Sequence, residues 1–290
     1  MAELTIKIPA QFAFSQSSLQ DYADCPRRFQ LRYLDRLLYP AAESEPALEN
    51  ERHQQEGQYF HRLAQQHLLG IPTEKLSRLA NTPNLQRWWE NFINSKDLSG
   101  LTRTLRDKAL RKDLTGLYPE ITLSAPLGDF RLVAKYDLIA ITEEEKIVIY
   151  DWKTYRKRPR NEWLSARWQT RVYRALLVTA GMQLNDGNPI LPERCEMVYW
   201  FANYPDDPGR FPYNEAQYKR DWDALLKLTE EIRSAASYPL TDDRQMCAYC
   251  TYRSYCDRGI QAGDLDAIEA EMESESLFDV NFEQIGEIEF

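Results

Sequence analysis

Hydrophobic positions recur at helical spacing through the first 120 residues of the chain. Residues 15–35 open with serines suited to cap a helix and then place leucine and aromatic side chains at near-helical intervals, with Pro26 marking a break or a new helix start. The same spacing predicts a helix over residues 49–69 that stops at Gly70, and a third helix at NLQRWWENFINS. The N-terminal part is therefore predicted to be helical throughout.

The pattern changes to that of strands after residue 120. The segments EITLSAPL, FRLVAKYDLIAI and KIVIYDWK are rich in β-branched and aromatic residues and are separated by the turn signals GD and TEEE, which predicts a three-stranded meander. A helix at NEWLSARWQTRVYRALLVTAG, a strand at CEMVYWFAN and a long amphipathic helix at NEAQYKRDWDALLKLTEEIRSAAS follow. Because the chain has no internal repeat and no Gly/Ser linker, this order predicts one compact α/β body with helical additions.

The third strand of the meander ends in an acid and a base two positions apart, Asp151 and Lys153. Side chains alternate along a strand, so the pair shares one face with two isoleucines, and the other face is apolar. The face of the charged pair carries Ile147 and Ile149. The other face carries Val148, Tyr150 and Trp152. A strand with two apolar faces is predicted to be central and covered on both sides. A charged pair at its end indicates a functional site, and a surface ion pair at a frayed strand end is the alternative.

A second acid, Asp137, is predicted to face Asp151 across the hairpin. If the hairpin turns around residue 144, facing residues have numbers that sum to about 288, and their Cβ atoms lie about 4.5–5.5 Å apart. A shift of one residue would put the carboxylates on opposite faces. Two such charges about 4 Å apart repel by roughly 4 kcal/mol at an effective dielectric constant near 20, so protonation, Lys153 or a divalent cation must compensate. Oxygen ligands favour magnesium or manganese over zinc, and such an ion can polarise a phosphate and activate a water.

The net charge of the chain is −9, but the excess of acids lies at the C-terminus. Residues 264–290 contain ten acids and no Lys or Arg, which leaves 36 bases against 35 acids in residues 1–263. Positive charge clusters at residues 103–113 and 155–160, where it could follow a phosphate backbone or form an ordinary solvated face. The tail is predicted to be a solvated, partly disordered end, and docking onto a partner or over a basic DNA groove is the alternative.

The N-terminus shows neither a basic start nor an apolar run of signal-peptide length, and no segment approaches the roughly 18 apolar residues of a membrane span. We therefore expect a cytoplasmic protein with no membrane partner.

Four of the five cysteines form a pattern typical of a metal site. Cys247, Cys250 and Cys256 are spaced C-x2-C-x5-C, and Cys25 lies far upstream, before a proline. A cytoplasmic chain seldom keeps disulfides, and the spacing suits either zinc or an iron–sulfur cluster. Cys195, at the start of a predicted strand, is interpreted as a core residue.

These features together resemble the PD-(D/E)XK nucleases, in particular their RecB-like branch. The resemblance rests on Asp137 on one strand, the acid-x-Lys of Asp151 and Lys153 on the next, and QTRVY on the following helix. It implies a restriction-endonuclease-like α/β core, with a mixed central sheet flanked by helices, helical additions and a four-cysteine cluster that joins the N- and C-terminal regions. The sequence departs from the family pattern at Ala134, where a glycine is usual.

The resemblance also implies a role for each matching residue. In the RecB-like branch a helical histidine preceded by a glycine binds metal, and GQYFH presents a histidine four residues after Gly57. The implied metal ligands are His61, Asp137 and Asp151, and the implied catalytic residues are Asp137, Asp151, Lys153 and the Q-x-x-x-Y pair Gln169 and Tyr173. Taken singly, the histidine could lie on a helix surface and the Q-x-x-x-Y pair could serve ordinary packing.

The cysteine pattern is similar to that of the iron–sulfur RecB-like nucleases, which include AddB-type and CRISPR-associated proteins. It implies a [4Fe-4S] cluster bound by Cys25, Cys247, Cys250 and Cys256, with zinc as the less favoured occupant.

The implied function is that of a Mg²⁺- or Mn²⁺-dependent phosphodiesterase, a DNA exonuclease acting on single strands or ends. The setting would be DNA repair, recombination or CRISPR-type processing, with a helicase or another protein of such a pathway as partner. Trp163 and Trp168 are candidates for base stacking. The alternative is a non-catalytic iron–sulfur DNA-binding subunit of a helicase–nuclease or defence complex.

The predicted domain organisation is a single nuclease domain over residues 1–263 followed by the acidic tail. Within it we assign a helical part to 15–120, the nuclease core to 121–205, and a C-terminal helix with the cysteine region to 214–258.

Overall fold

The computed structural model describes residues 8–38, 47–98, 116–142, 145–248 and 250–259. These residues form a mixed six-stranded sheet with helices on both faces. The strands are β1 (Ala13–Phe14), β2 (Leu117–Leu127), β3 (Phe130–Ile141), β4 (Ile147–Lys153), β5 (Cys195–Phe201) and β6 (Tyr204–Pro212). The basic stretch 103–113 and the acidic tail lie outside the described residues.

The sheet runs in the order β1-β3-β4-β5-β6, and β2 pairs with the remaining edge of β3. The β1–β3 and β4–β5 pairs are parallel, and the others are antiparallel. A parallel connection needs a crossover, and the helices between β4 and β5 provide it. The predicted meander is confirmed as β2, β3 and β4.

The register between β3 and β4 agrees with the predicted sum of 288. The pairs run from Ile141 with Ile147 to Leu138 with Tyr150. All seven residues of β4 are buried, which confirms a central strand covered on both faces.

The helices are α1 (Gln16–Asp24), α2 (Pro26–Phe29), α3 (Ala47–Leu68), α4 (Thr73–Ser77), α5 (Pro83–Asn94), α6 (Asn161–Ala166), α7 (Trp168–Ala180), α8 (Glu215–Ser234) and α9 (Arg244–Ala248). Ser15 caps α1 through a reciprocal pair of hydrogen bonds with Ser18, and Pro26 begins α2. A π-helical turn follows α2 over Gln30–Leu34. No helix of the described residues is long and apolar enough to cross a membrane.

The two faces of the sheet bury separate cores. Ile147 and Ile149 of β4 pack on one face with residues of α7 and α8, whereas Trp152 packs on the other face with α3 and α5. This division confirms the predicted alternation of β4. It also places α7 and α3 on opposite sides of the strand that carries Asp151, so both helices can reach its C-terminal end.

Several elements differ from the prediction. β1 was not predicted, and β2 begins at Leu117, inside the part predicted to be helical up to residue 120. The helix predicted from residue 161 onward is broken at Arg167, whose extended backbone (ψ 146°) separates α6 from α7. β6 was also not predicted. Its sequence YPDDPGRFP contains three prolines, which are tolerated because β6 is an edge strand.

Candidate active site

Asp137 lies where the ladder between β3 and β4 ends. The last pair is Leu138 with Tyr150. One position further, Oδ2 of Asp137 accepts a hydrogen bond of 2.8 Å from the backbone N–H of Trp152, the residue after Asp151. The carboxylate of Asp137 therefore occupies the opening between the strands, next to the backbone that carries Asp151.

Helix α3 brings His61 to the same point. Nδ1 of His61 lies 3.1 Å from Oδ1 of Asp137. One turn earlier in α3, a Cβ added to Gly57 would lie only 3.0 Å from Oγ1 of Thr154, just beyond β4. The absence of a side chain at Gly57 thus allows the helix to approach the strand end closely, which sets the reach of His61.

Asp151 and Lys153 form a buried network with Gln169 of α7. The ammonium of Lys153 lies 3.0 Å from Oδ2 of Asp151 and donates to Oε1 of Gln169 at 3.0 Å. The amide Nε2 of Gln169 donates to Oδ1 of Asp151 at 2.8 Å. Each of the three side chains thus contacts the other two, and all three are buried. The geometry orients the lysine and the aspartate relative to each other.

Tyr199 of β5 extends this network, and the sequence analysis missed it. Its hydroxyl donates to Oε1 of Gln169 at 3.0 Å and lies 2.8 Å from Oγ1 of Thr170. Its ring lies 5.4 Å from the ammonium of Lys153, in cation–π range. A tyrosine in a hydrophobic strand carries no local signal of such a role.

Tyr173, the second member of the Q-x-x-x-Y pair, reaches the backbone of β3. Its hydroxyl donates to the carbonyl of Lys135 at 2.7 Å and accepts from Nε2 of Gln16 at 3.3 Å. Tyr136 in turn donates to the carbonyl of Tyr173 at 2.9 Å. The structure therefore places Gln169 against the carboxylate and Tyr173 where it braces the strand that carries Asp137.

The charges of His61 and Asp137 stabilise each other. Burial alone would lower the pKa of His61, but the charge of Asp137 and its hydrogen bond outweigh burial and raise that pKa. Burial alone would raise the pKa of Asp137, but the charge and hydrogen bond of His61 and the Trp152 N–H lower it. Asp151 also acts on His61, and Lys153 on Asp137. The four groups therefore share one electrostatic environment.

Glu120 of β2 is a further acid at this point that the sequence analysis missed. The pairs Pro119 with Leu138 and Ile121 with Tyr136 place it opposite Asp137. Its backbone has φ 54°, in the left-handed region, and its carboxylate forms an ion pair with Lys135. Burial, followed by the charge of Asp137, raises the pKa of Glu120.

The alternation of β3 shifts by one residue at the same point. Tyr136 and Ile139 belong to the same core cluster although they are three positions apart, so the strand changes its facing around Asp137. The only sign of Glu120 in the sequence is that a charged residue interrupts the strand pattern YPEITL.

The donor set suits a hard divalent cation. Carboxylates of Asp137 and Asp151 with the ring of His61 are the residues that could hold it, because oxygen-rich sets favour Mg²⁺ or Mn²⁺. In the part of the chain that the structure describes, no three His, Cys, Asp or Glu side chains already converge as a metal site. The acids are instead held by the lysine, the histidine and the amide described above.

Two arginines of the basic loop after β4 form ion pairs with acidic side chains. Arg156 lies 3.2 Å from Glu49 and Arg158 lies 2.8 Å from Asp207, whereas Arg160 is exposed.

The two tryptophans proposed for base stacking are half-buried and each has a guanidinium over its ring. These pairs are Trp163 with Arg167 at 4.7 Å and Trp168 with Arg171 at 4.2 Å.

The four patterned cysteines line one small cavity. Cys25 follows α1, and Cys247, Cys250 and Cys256 approach it from the C-terminal part of the described chain. All have free thiols in the structure. The two regions are also joined by the hydroxyl of Tyr252, which donates to the carbonyl of Leu37 at 3.0 Å.

Arg28 lines the same cavity. Its guanidinium lies 2.7 Å from Asp21 and 2.8 Å from Asp24, which fixes it beside the thiols. Cys195 is separate: it is buried at the start of β5, as predicted, and burial raises the pKa of its thiol to about 12.

Comparison with known proteins shows the class to which the fold belongs. The family model described as the PD-(D/E)XK nuclease superfamily matches residues 13–257, so the chain belongs to that superfamily. Its mixed sheet flanked by helices is consistent with the restriction-endonuclease-like fold. Superfamily members generally use divalent metals such as Mg²⁺ or Mn²⁺. No curated protein sequence matches this chain.

Two solved structures resemble the chain over most of their length. One, named "Putative exonuclease" from Eubacterium rectale, shares 12% identity with a TM-score of 0.47, and the match covers 92% of each chain. The other, a crystal structure of SSO0001, shares 13% identity with a TM-score of 0.37 and covers 88% of this chain and 90% of that one.

Proposed function

We propose that this protein is a metal-dependent deoxyribonuclease of the RecB-like branch, acting as an exonuclease on single strands or ends. The observation that carries the proposal is the buried network of Asp151, Lys153 and Gln169, next to the pair of Asp137 and His61. An acid and a base held in contact at the end of a central strand, beside a second acid, form the group expected for phosphodiester hydrolysis.

In this proposal Asp137, Asp151 and His61 hold the cation, which when bound polarises the phosphate and lowers the pKa of the attacking water. Gln169 and Asp151 orient the ammonium of Lys153 toward the scissile phosphate. The ammonium then orients the water or stabilises the negative charge that develops on the phosphate oxygens. Tyr173 fixes the carbonyl of Lys135, two residues before Asp137, and so holds β3 in place.

The test is cleavage of end-labelled DNA oligonucleotides with and without Mg²⁺ or Mn²⁺. We expect Asp151→Ala and Lys153→Ala to abolish cleavage at a temperature below the melting transition of each variant, where circular dichroism shows that the fold is retained. Lys146→Ala is the matched control, because Lys146 is exposed just before β4 and far from its catalytic end. Cleavage by wild-type protein without added metal, or cleavage that survives both substitutions, would reject the mechanism. RNA oligonucleotides run in parallel test the preference for DNA.

We further propose that Cys25, Cys247, Cys250 and Cys256 bind a [4Fe-4S] cluster, with zinc as the less favoured occupant. The support is that all four line one cavity, although Cys25 lies more than two hundred positions before the other three in the chain. Such a clip would restrict the unfolded chain and hold the terminal segments over the core.

Iron content and the visible spectrum of an anaerobic preparation test the cluster. We expect Cys25→Ser to lose iron and colour and Cys195→Ser to keep both, since Cys195 lies in the core away from this cavity. A colourless preparation that contains zinc and no iron would reject the iron–sulfur proposal and leave a four-cysteine zinc site.

For the biological setting we propose the cytoplasm and DNA repair, recombination or CRISPR-type processing, with a helicase or another protein of such a pathway as partner. Cleavage measured with and without a helicase distinguishes the enzyme from a non-catalytic DNA-binding subunit, because such a subunit would bind DNA without cleaving it in either case.

A further inference from the structure

Glu120 lies beside the pair of Asp137 and His61, although no motif includes it. The register of β2 and β3 continues unchanged on both sides of it and places it opposite Asp137. The charges of Asp137 and His61 both act on its carboxylate.

The backbone of Glu120 is in a conformation that glycine would adopt more easily. Its φ is 54°, and non-glycine residues in this region are uncommon outside turns. Glu120 lies within a paired strand rather than in a turn. Residues held in this backbone region cluster at functional sites, so the backbone makes Glu120 a candidate functional residue.

The carboxylate of Glu120 is paired with the side chain of a lysine. It forms an ion pair with the ammonium of Lys135, and its side chain is 16% exposed against 38% for that of Lys135. The shielded acid therefore faces the centre, and the lysine reaches it from the solvent side. Glu120, Asp137 and His61 together offer carboxylate oxygens and a ring nitrogen on the α3 side of the strand opening.

We propose that Glu120 is an additional ligand of the divalent cation that Asp137, Asp151 and His61 would hold. The inference deepens the proposed function and rests on it. Lys135 compensates the charge of Glu120 in the structure. A bound cation would take over that role, and the ammonium of Lys135 would then be left on the solvent side.

The test compares Glu120→Asn with Glu145→Asn. Asparagine tolerates the left-handed backbone better than glutamate and removes the charge. Glu145 is the matched control because it has φ 60° in an exposed turn, with a side chain that is 82% exposed. Binding of Mn²⁺ to the free protein is measured by electron paramagnetic resonance without DNA, together with the melting temperature.

We expect Glu120→Asn to weaken Mn²⁺ binding about 10-fold or more, comparably to Asp137→Asn, without lowering the melting temperature. Glu145→Asn should leave Mn²⁺ affinity unchanged. Wild-type affinity in Glu120→Asn would overturn the inference and leave the nuclease proposal intact. If Glu120→Asn fails to fold, Glu120→Gln, which keeps the shape of the side chain, is measured in the same way and decides. Wild-type protein that neither binds Mn²⁺ nor cleaves DNA would instead refute the proposed function and this inference with it.

Discussion

The contact between Asp151 and Lys153 predicts a measurable energetic coupling. Both residues are buried, with exposures of 3% and 8%, and their charged atoms lie 3.0 Å apart. Removing one member of such a pair leaves an uncompensated buried charge, which costs about 3–5 kcal/mol, whereas replacing both by neutral groups of similar size is close to neutral. We therefore expect Lys153→Met to be strongly destabilising and Asp151→Asn/Lys153→Met to recover most of the loss.

The two single substitutions should differ in size. In Asp151→Asn the ammonium of Lys153 keeps Oε1 of Gln169 as an acceptor and lies 5.4 Å from the ring of Tyr199 and 5.7 Å from that of Tyr155. Cation–π contacts of this kind retain about 0.5–2 kcal/mol, so Asp151→Asn should cost less than Lys153→Met. At about 2–4 °C per kcal/mol, Lys153→Met should lower the melting temperature by roughly 6–20 °C.

Urea unfolding followed by tryptophan fluorescence measures the free energy of unfolding of wild type, the two single variants and the double variant, since the chain has seven tryptophans. Lys146→Met serves as the control for losing a lysine from an exposed position next to the same strand. The double variant should lie within about 1–2 kcal/mol of wild type and should not cleave DNA. If its loss of stability instead equals the sum of the two single losses, the charges are not coupled and the reasoning fails.

Two further predictions concern Tyr199 and Cys195. Tyr199→Phe removes hydroxyl contacts to Gln169 and Thr170; it should cost about 1–2 kcal/mol in urea unfolding and slow DNA cleavage, and unchanged kinetics would show that Gln169 needs no such support. Because burial raises the pKa of Cys195 to about 12, its thiol is protonated at pH 8 and should resist iodoacetamide until the protein unfolds, as peptide mass spectrometry can show. Rapid alkylation of Cys195 in the folded protein would contradict its buried position.

Local pattern was sufficient for much of the fold. The alternation in EKIVIYDWK predicted both faces of β4, and the assumed turn around residue 144 predicted the register that the structure shows. The Ser15 cap and the fresh start at Pro26 were likewise visible, because capping and proline geometry depend on neighbours within a few residues.

The structural features that the sequence did not predict depend on contacts between residues far apart in the chain. The break at Arg167 leaves the backbone N–H of Trp168 to donate to Oε1 of Gln20 at 3.1 Å, a partner far away in the sequence. The prolines of β6 argued against a strand, but the edge of the sheet leaves room for them. The irregular backbone of Glu120 depends on its position opposite Asp137 and could not be inferred from YPEITL.

The sequence by itself determined which residues alternate into the sheet, because this follows from short-range periodicity, and its motifs resemble those of the superfamily whose family model matches the chain. Only the tertiary structure decided which side chain compensates each buried charge: His61 for Asp137 and Lys153 with Gln169 for Asp151. A buried charge is stabilised by whatever group the fold brings within about 3 Å. That distance is set by packing between helices and strands, and not by the order of residues along the chain.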